Sequence, residues 1–565
     1  MIHPFTPKLV SLIRGGHITR QQVGKDIMAG VIVGIVALPL SIAFAIASGV
    51  SPEKGLITAI IAGFIISAFG GSRVQIGGPT GAFIVIVYAI VQEHGVDGLI
   101  IATFMAGFLI MGMGFAKLGN YLKFIPYPLI VGFTSGIAII IFSSQIKDLL
   151  GLEIAHLPAD FTEKWVVYAQ SLGSVNWIAL AIGAVTVLIS FTFHKVTTKI
   201  PGSIIAIVLS TAVVYFFKLP VDTIETRFGD IPNSLSAPVI PDIRFDTIQA
   251  LIQPAIAIAL LGAIESLLSA VVADGMIGSR HRSNIELVAQ GAANVFSGLF
   301  GGIPATGAIA RTATNIKNGG RTPISGMVHA LTLLVIMLLL APVAKLIPLA
   351  CLAGILVVVS YHMGDWSHFF AMLKTNRMDV LVLLTTFLLT VFFDLVIAIE
   401  VGMILASFIF MKRMSEVTAF SDNTAFLRTQ AGADAPLFEE ELTDVPKGVN
   451  IYEINGPLFF GASRRFQEVM GEVNLTSKVL ILRMRNVPFM DASGASSLNE
   501  ICKRFQKQGI AVLISGANPE VQEELRKSGL MDLLQPENVL DNIKDALERA
   551  RAIRNGAPVF TPAPA

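Results

Sequence analysis

Long apolar runs separated by short polar stretches occupy most of this chain between residues 27 and 411. They fall at 27–48, 55–70, 80–92, 97–117, 125–145, 176–193, 202–217, 251–273, 285–299, 306–316, 325–344, 346–360, 379–393 and 395–411. The pattern predicts fourteen helical spans, several shorter than the ~20 residues of a full crossing. Two of the short ones begin at related breaks. One is Gly77-Gly78-Pro79-Thr80-Gly81-Ala82, the other Gly301-Gly302-Ile303-Pro304-Ala305-Thr306-Gly307-Ala308. Gly-Gly-Pro does not continue a helix from before it, and Thr is a competent N-cap for one that follows. Each stretch therefore reads as extended backbone entering a half-length helix. In lipid such a break is tolerated only inside protein or along a water-filled cavity.

The two breaks stand at matching places. Pro39 precedes Thr80 by 41 positions, as Glu265 precedes Thr306. Seven spans per half is an odd number, so the second half is inverted relative to the first, and the half-helices begin near the midplane with their N-termini facing. The inner loops of that arrangement hold Arg73, Lys117, Arg280-His281-Arg282, Lys317 with Arg321, Lys374 with Arg377, and Lys412-Arg413. The outer connections are poorer in Lys and Arg. The positive-inside rule then puts both termini in the cytoplasm.

Beyond residue 414 the pattern changes. Residues 1–26 read as a cytoplasmic lead-in, 27–413 as the membrane domain, 414–445 as a charged linker, 446–555 as a small α/β domain and 556–565 as a disordered Pro/Ala tail. Strands are predicted over 449–454, 479–483 and 510–515, helices over 464–473, 494–507 and 519–528.

Composition narrows the class. Of 565 residues, 53% are hydrophobic and only 14% charged, which suits a membrane protein rather than an ordinary soluble one. The net charge of +1 and the lack of a basic tract argue against a nucleic-acid partner. Two cysteines, Cys351 and Cys502, give neither a disulfide framework nor a metal-ligand spacing. The first apolar run lacks a small-residue cleavage site, so it reads as a span rather than a signal peptide. No nucleotide-binding loop and no nucleophile–base set is present, so neither an ATP-driven pump nor an enzyme is expected, and no cofactor is called for.

The candidate chemistry lies at the breaks. A helix N-terminus offers unpaired N–H donors and a partial positive charge, and two aimed at one cavity form an anion site. Thr80, Gly81, Ala82 and Phe83 would supply one side, Thr306, Gly307 and Ala308 the other, with small residues allowing close approach. Arg311, five positions beyond Thr306, either adds positive potential behind the anion or snorkels toward the cytoplasm. Glu265 sits inside an apolar run, where desolvation disfavours its charged form. It reads as a proton carrier, as a cation ligand together with Ser269 one turn on, or as a structural carboxyl paired with Arg311 or with backbone amides.

These features resemble the SulP inorganic anion transporters, whose animal members form solute-carrier family 26. The resemblance rests on the fourteen runs, Ala37-Leu38-Pro39-Leu40-Ser41-Ile42-Ala43-Phe44-Ala45, the Gly-Pro-Thr-Gly break, Glu265, Pro304-Ala305-Thr306-Gly307-Ala308-Ile309-Ala310-Arg311 and the α/β tail. It implies a polytopic α-helical protein of fourteen spans as a 7+7 inverted repeat. Spans 1–4 and 8–11 would form a core domain and spans 5–7 and 12–14 a gate domain. It also implies anion binding between the third and tenth spans, elevator-like movement of the core, and a homodimer. The tail is similar to a STAS domain. There Asp491-Ala492-Ser493-Gly494 matches the loop in which anti-sigma-factor antagonists carry a phosphoserine, making Ser493 a regulatory candidate or a helix cap, and a cytosolic protein partner conceivable. Leu40 and Phe44 stand where many eukaryotic members have Gln and Tyr, a pattern nearer the bacterial branches.

The expectation is thus a secondary transporter of a small oxyanion (sulfate, bicarbonate or a C4-dicarboxylate) in a bacterial inner membrane. Coupling would be to protons through Glu265, with sodium as the lesser alternative. An anion channel, an exchanger and a sodium-coupled bicarbonate symporter stay open.

Overall fold

The computed structural model describes residues 5–16, 18–121, 125–154, 157–158, 160–193, 201–230, 234–235, 237–241, 245–393, 395–422, 445–472 and 478–558. The chain divides into two compact units, Met1–Ile404 and Leu405–Ala565.

In the first unit each apolar run carries a helix or part of one. A short α1 (Lys8–Arg14) precedes α2 (Arg20–Ala47) and α3 (Pro52–Phe69). Next come a 3-10 turn, Gly81–Phe83, and α4 (Ile84–Phe115), which breaks at Gly95 with φ 70° and so joins two of the expected spans. The first half ends with α5 (Tyr127–Leu150), α6 (Phe161–Gln170), α7 (Trp177–Thr192), α8 (Gly202–Phe217) and α9 (Ile224–Phe228). The second half holds α10 (Phe245–Ile277), α11 (Ser283–Leu299), α12 (Ile309–Lys317), α13 (Ile324–Ala344), α14 (Leu349–Met363), α15 (Trp366–Met372), α16 (Arg377–Phe392) and α17 (Leu395–Val417). Among the described residues, six helices are long and apolar enough to cross a membrane, and three shorter ones are apolar.

The helices pack in two sets. α2, α3, α4, α10, α11, α12 and α13 contact one another, and so do α5, α7, α8, α14 and α16. Small residues bring their backbones together, as in other membrane bundles. A Cβ on Gly291 of α11 would fall 2.5 Å from the Gly107 carbonyl of α4.

The non-helical backbone inside the first set is satisfied by buried side chains, which is what makes it tolerable there. Glu286 accepts from the Gly71 and Ser72 amides at 2.6 and 2.9 Å. Asn294 clamps Ala305, donating to its carbonyl at 2.9 Å and accepting from its amide at 2.8 Å. Thr58 Oγ1 accepts from the Ile303 amide at 2.7 Å.

The second unit is an α/β domain. Its sheet runs in chain order: β3 (Ala419–Asp422), β4 (Val449–Asn455), β5 (Val479–Asn486), β6 (Ala511–Ser515) and β7 (Val539–Leu540). β3 is antiparallel to β4 and the other pairs are parallel. α18 (Phe460–Glu472), α19 (Ala492–Lys507), α20 (Pro519–Lys527), α21 (Leu530–Leu534) and α22 (Ile543–Arg554) cover it. Alternation along the strands divides its apolar residues between two faces. Leu480 and Leu482 pack with Leu498 and Val521, while Val479 and Ile481 pack with Ala546 and Leu547. Two short strands, β3 and β7, lie outside the expected three. The expected linker is corrected at its start: α17 continues to Val417 and residues 419–422 join the sheet, while 423–444 lie outside the described residues. So do residue 473 of an expected helix and 559–565 of the expected tail.

Candidate functional site: two facing helix breaks

The two breaks meet as a two-stranded ribbon. β1 (Gly77–Gly78) pairs antiparallel with β2 (Thr306–Gly307), Gly77 opposite Gly307 and Gly78 opposite Thr306. Gly78 has φ 146°, a conformation that favours glycine, and a Cβ there would fall 2.7 Å from Arg311 Nη1. The extended stretches that sequence predicts therefore satisfy each other's backbone across the repeat.

On the first side, Thr80 has the extended backbone of an N-cap residue, but its side chain caps nothing. Thr80 Oγ1 instead donates to Glu265 Oε2 of α10 at 2.9 Å. The Phe83 amide closes the 3-10 turn onto the Thr80 carbonyl at 3.3 Å, so it is not a free donor as expected from sequence. Its ring packs against Gly262 of α10. The first-turn donors of Gly81 and Ala82 remain. Gly81 itself faces Met363 of α14, Ile141 of α5 and Phe44 of α2, so this turn lies where the two helix sets meet.

On the second side the expected donors are displaced. Thr306 and Gly307 are strand residues, and Ala308 is the N-cap of α12, which begins at Ile309. The Ala308 amide donates to the Ile76 carbonyl at 2.8 Å and the Gly307 amide to Ser266 Oγ at 3.3 Å. The Ser266 and Thr306 hydroxyls share a 2.7 Å hydrogen bond, and Thr306 Oγ1 donates to the Gly262 carbonyl at 3.1 Å. These groups hold the break on α10. The first-turn donors of this half-helix are then those of Ile309, Ala310 and Arg311, and Ile309 and Ala310 are exposed.

Arg311 is 2% exposed and does not snorkel toward either surface. Its Nη2 donates to the Pro79 carbonyl of the other break, while Nη1 has no hydrogen-bond partner among the described residues. It makes no ion pair with Glu265, which is part-buried and bonded to Thr80. A guanidinium with an unfilled donor and a carboxylate thus hold adjacent residues, Pro79 and Thr80, of one break. Ser269 is buried 3.5 Å from Thr312 Oγ1 rather than turned to Glu265, and Thr312 Oγ1 accepts the Ile76 amide at 3.0 Å. Ser269 therefore belongs to the packing of α10 on α12.

Sequence reasoning overlooked several neighbours. Gln75 Nε2 donates to the Ser266 carbonyl at 3.1 Å while its Oε1 has no partner among the described residues. His329 of α13 is fully buried, faces Gly63 of α3, and has both ring nitrogens unpartnered among the described residues. A polar residue inside an otherwise apolar run was the available signal for His329; Gln75, between two runs beside Ser72 and Arg73, had none.

In the second unit Ser493 is exposed near the start of α19, but the cap is Asp491, which accepts from the Gly494 amide at 2.8 Å. Burial pushes the Cys502 thiol up to about 12.

Residues 23–386 match the sulfate permease family and residues 442–550 match the STAS domain. The chain belongs to the sulfate permease family. Like other members it is a multi-pass membrane protein, and its second unit is a STAS domain. The chain is 43% identical over 92% of its length to 97% of YvdB of Bacillus subtilis (strain 168), which carries a provisional sulfate-transporter name. It is 33% identical over 93% of its length to 94% of the bicarbonate transporter BicA of Picosynechococcus sp.. The solved transmembrane domain of a cyanobacterial BicA superposes with a TM-score of 0.61 at 34% identity, over 67% of this chain and 98% of that one. The fold of SLC26A9 matches with a TM-score of 0.86 at 18% identity, over 98% of this chain and 93% of that one.

Proposed function

We propose that this sulfate permease family member is a proton-coupled secondary transporter of a small oxyanion: sulfate, bicarbonate or a C4-dicarboxylate. The observation that carries the reading is the half-filled Arg311 guanidinium beside two facing helix starts. The anion would lie against Gly81 and Ala82 on one side and the first turn of α12 on the other, with Arg311 supplying the full charge. Thr306, Gly307 and Ala308 shape that surface and fix it to α10. Glu265 is the coupling group. Protonated, it takes a negative charge away from beside the anion, so both ligands favour one state. Protons are preferred over sodium because the Ser269 hydroxyl is turned to Thr312. The two helix sets supply the parts for an elevator movement of one against the other, in a homodimer of a bacterial plasma membrane with cytoplasmic termini.

Purified protein in liposomes, given labelled sulfate, bicarbonate or fumarate, tests this. Accumulation of one of them under an outside-acid gradient is expected. Electrogenic flux independent of the proton gradient would make the protein a channel, and sodium-driven accumulation would reassign the coupling.

A further inference from the structure

A second cation in the first unit lacks an oxygen partner among the described residues. Lys164 of α6 is 4% exposed, and its Nζ stands 5.5 Å from the centroid of the Tyr88 ring of α4. It makes no hydrogen bond and no ion pair among the described residues. The surrounding charges are otherwise engaged. Asp160 caps α6, accepting from the Glu163 amide at 3.0 Å and the Thr162 hydroxyl at 2.7 Å. Arg227 of α9 is paired with Asp148 at 2.6 Å and Asp222 at 3.0 Å, and Lys147 of α5 donates to the Ile154 carbonyl at 2.6 Å. Tyr88 donates its hydroxyl to the Leu157 carbonyl at 2.7 Å, which fixes the ring beneath the ammonium.

Lys164, Tyr88, Asp160, Arg227, Asp148 and Lys147 line one open cavity of about 410 Å³. At about 30 Å³ per water that is room for a hydrated oxyanion. The cavity reaches from Gly49, at the α2–α3 turn, to Ile84, next to the Gly81–Phe83 turn. It therefore opens at the end of the unit opposite the N-terminal segment, whose Lys8 donates to the Arg280 carbonyl at 2.8 Å. With cytoplasmic termini this is the outer face.

The Lys164 ammonium, with the Tyr88 ring beside it and Asp160 as its nearby countercharge, has no hydrogen-bond partner among the described residues, an arrangement that a hydrogen-bonding ligand of opposite charge relieves. We propose that Lys164 and the Tyr88 ring form a second, outer anion site that captures the small oxyanion before it reaches the helix breaks. The site rests on the transporter reading for its ligand class, but it is built from different residues. A cation at the mouth of a cleft raises the local anion concentration. Burial also pulls the Lys164 ammonium down to about 8. The charge is present below that value and is lost as pH rises through it, so capture weakens above pH 8.

Two measurements test the site. In the first, the purified full chain is acylated at pH 8 with an amine reagent, with and without sulfate, bicarbonate or fumarate, and Lys164 labelling is read by mass spectrometry. At least threefold protection of Lys164 by one anion is expected, in Arg311→Ala as well as in the unmodified protein. In the second, uptake is measured for Lys164→Gln and Lys164→Arg. Lys164→Gln should raise KM for external anion severalfold with kcat nearly unchanged. Lys164→Arg should keep KM low and abolish its rise between pH 7 and 9. Unprotected Lys164 together with an unchanged KM in Lys164→Gln would overturn the outer site while leaving the transporter reading standing. Protection of Lys164 in a protein that takes up none of the anions would do the reverse.

Discussion

Thr80 and Glu265 are joined by a 2.9 Å hydrogen bond that ties the two halves of the repeat together. The hydroxyl at the entry to the first half-helix donates to a carboxylate on α10, the helix on which the second break is mounted. A change in the protonation of Glu265 is therefore felt directly at the Gly81–Phe83 turn, because a charged acceptor holds the Thr80 hydroxyl more strongly than a neutral one.

Glu265→Gln should bind anion and lose the pH dependence of binding. In the unmodified protein a neutral carboxyl should favour the anion, so affinity should rise as pH falls; the amide fixes the neutral state. The variant should also fail to accumulate anion under an outside-acid gradient while anion-for-anion exchange survives. Accumulation that persists in the variant would exclude Glu265 as the proton carrier.

Arg311→Ala should weaken anion binding by about 1.5–3 kcal/mol, the range for a hydrogen bond to a charged group, read as a shift in Kd. Arg311→Lys keeps the charge but cannot both hold the Pro79 carbonyl and present a planar second donor, so it should recover only part of the loss. If affinity is unchanged in both variants while the melting temperature drops, the guanidinium is holding the break and not the anion.

Gly307→Ala tests the ribbon. An added Cβ would clash with Gln75 Nε2, which itself holds the Ser266 carbonyl. The substitution should displace Gln75 and abolish uptake in protein that still inserts in the membrane. Thr306→Ser, which keeps the hydroxyl shared with Ser266, should retain most activity. A bulky residue at Ala308, 6% exposed, should behave like Gly307→Ala. Normal uptake rates in the Gly307 and Ala308 variants would remove this stretch from the site.

Asp491→Ala should destabilise the second unit by about 1 kcal/mol, the usual effect of losing an N-cap. Its second bond, accepting the Phe460 amide at 3.1 Å, is lost as well. Ser493→Ala, at an exposed position, should stay within about 0.5 kcal/mol of the unmodified protein. Hydrogen exchange across 492–507 in the full chain measures both, and equal effects would contradict the assignment of Asp491 as the cap.

Much of this protein is written locally. Apolar runs, Gly-Gly-Pro interruptions and the change of pattern beyond residue 414 depend on neighbouring residues, and they determined where the helices lie, where two of them break and where an α/β domain follows. The intervals from Pro39 to Thr80 and from Glu265 to Thr306 also exposed the repeat. What a sequence pattern does not contain is the partner of each polar group. Thr80 looked like a cap and became the donor to Glu265, 185 positions away. Gly307 and Ala308 looked like free donors, yet their amides are held by Ser266 and Ile76. Arg311 had two local readings, and only packing sent it across to the Pro79 carbonyl of the opposite break. His329 and Lys164 carried no motif at all. Inside a membrane bundle a polar atom is satisfied by whichever backbone or side chain the helix packing brings near, so those partners, and the donors left without one, were decided by the tertiary structure alone.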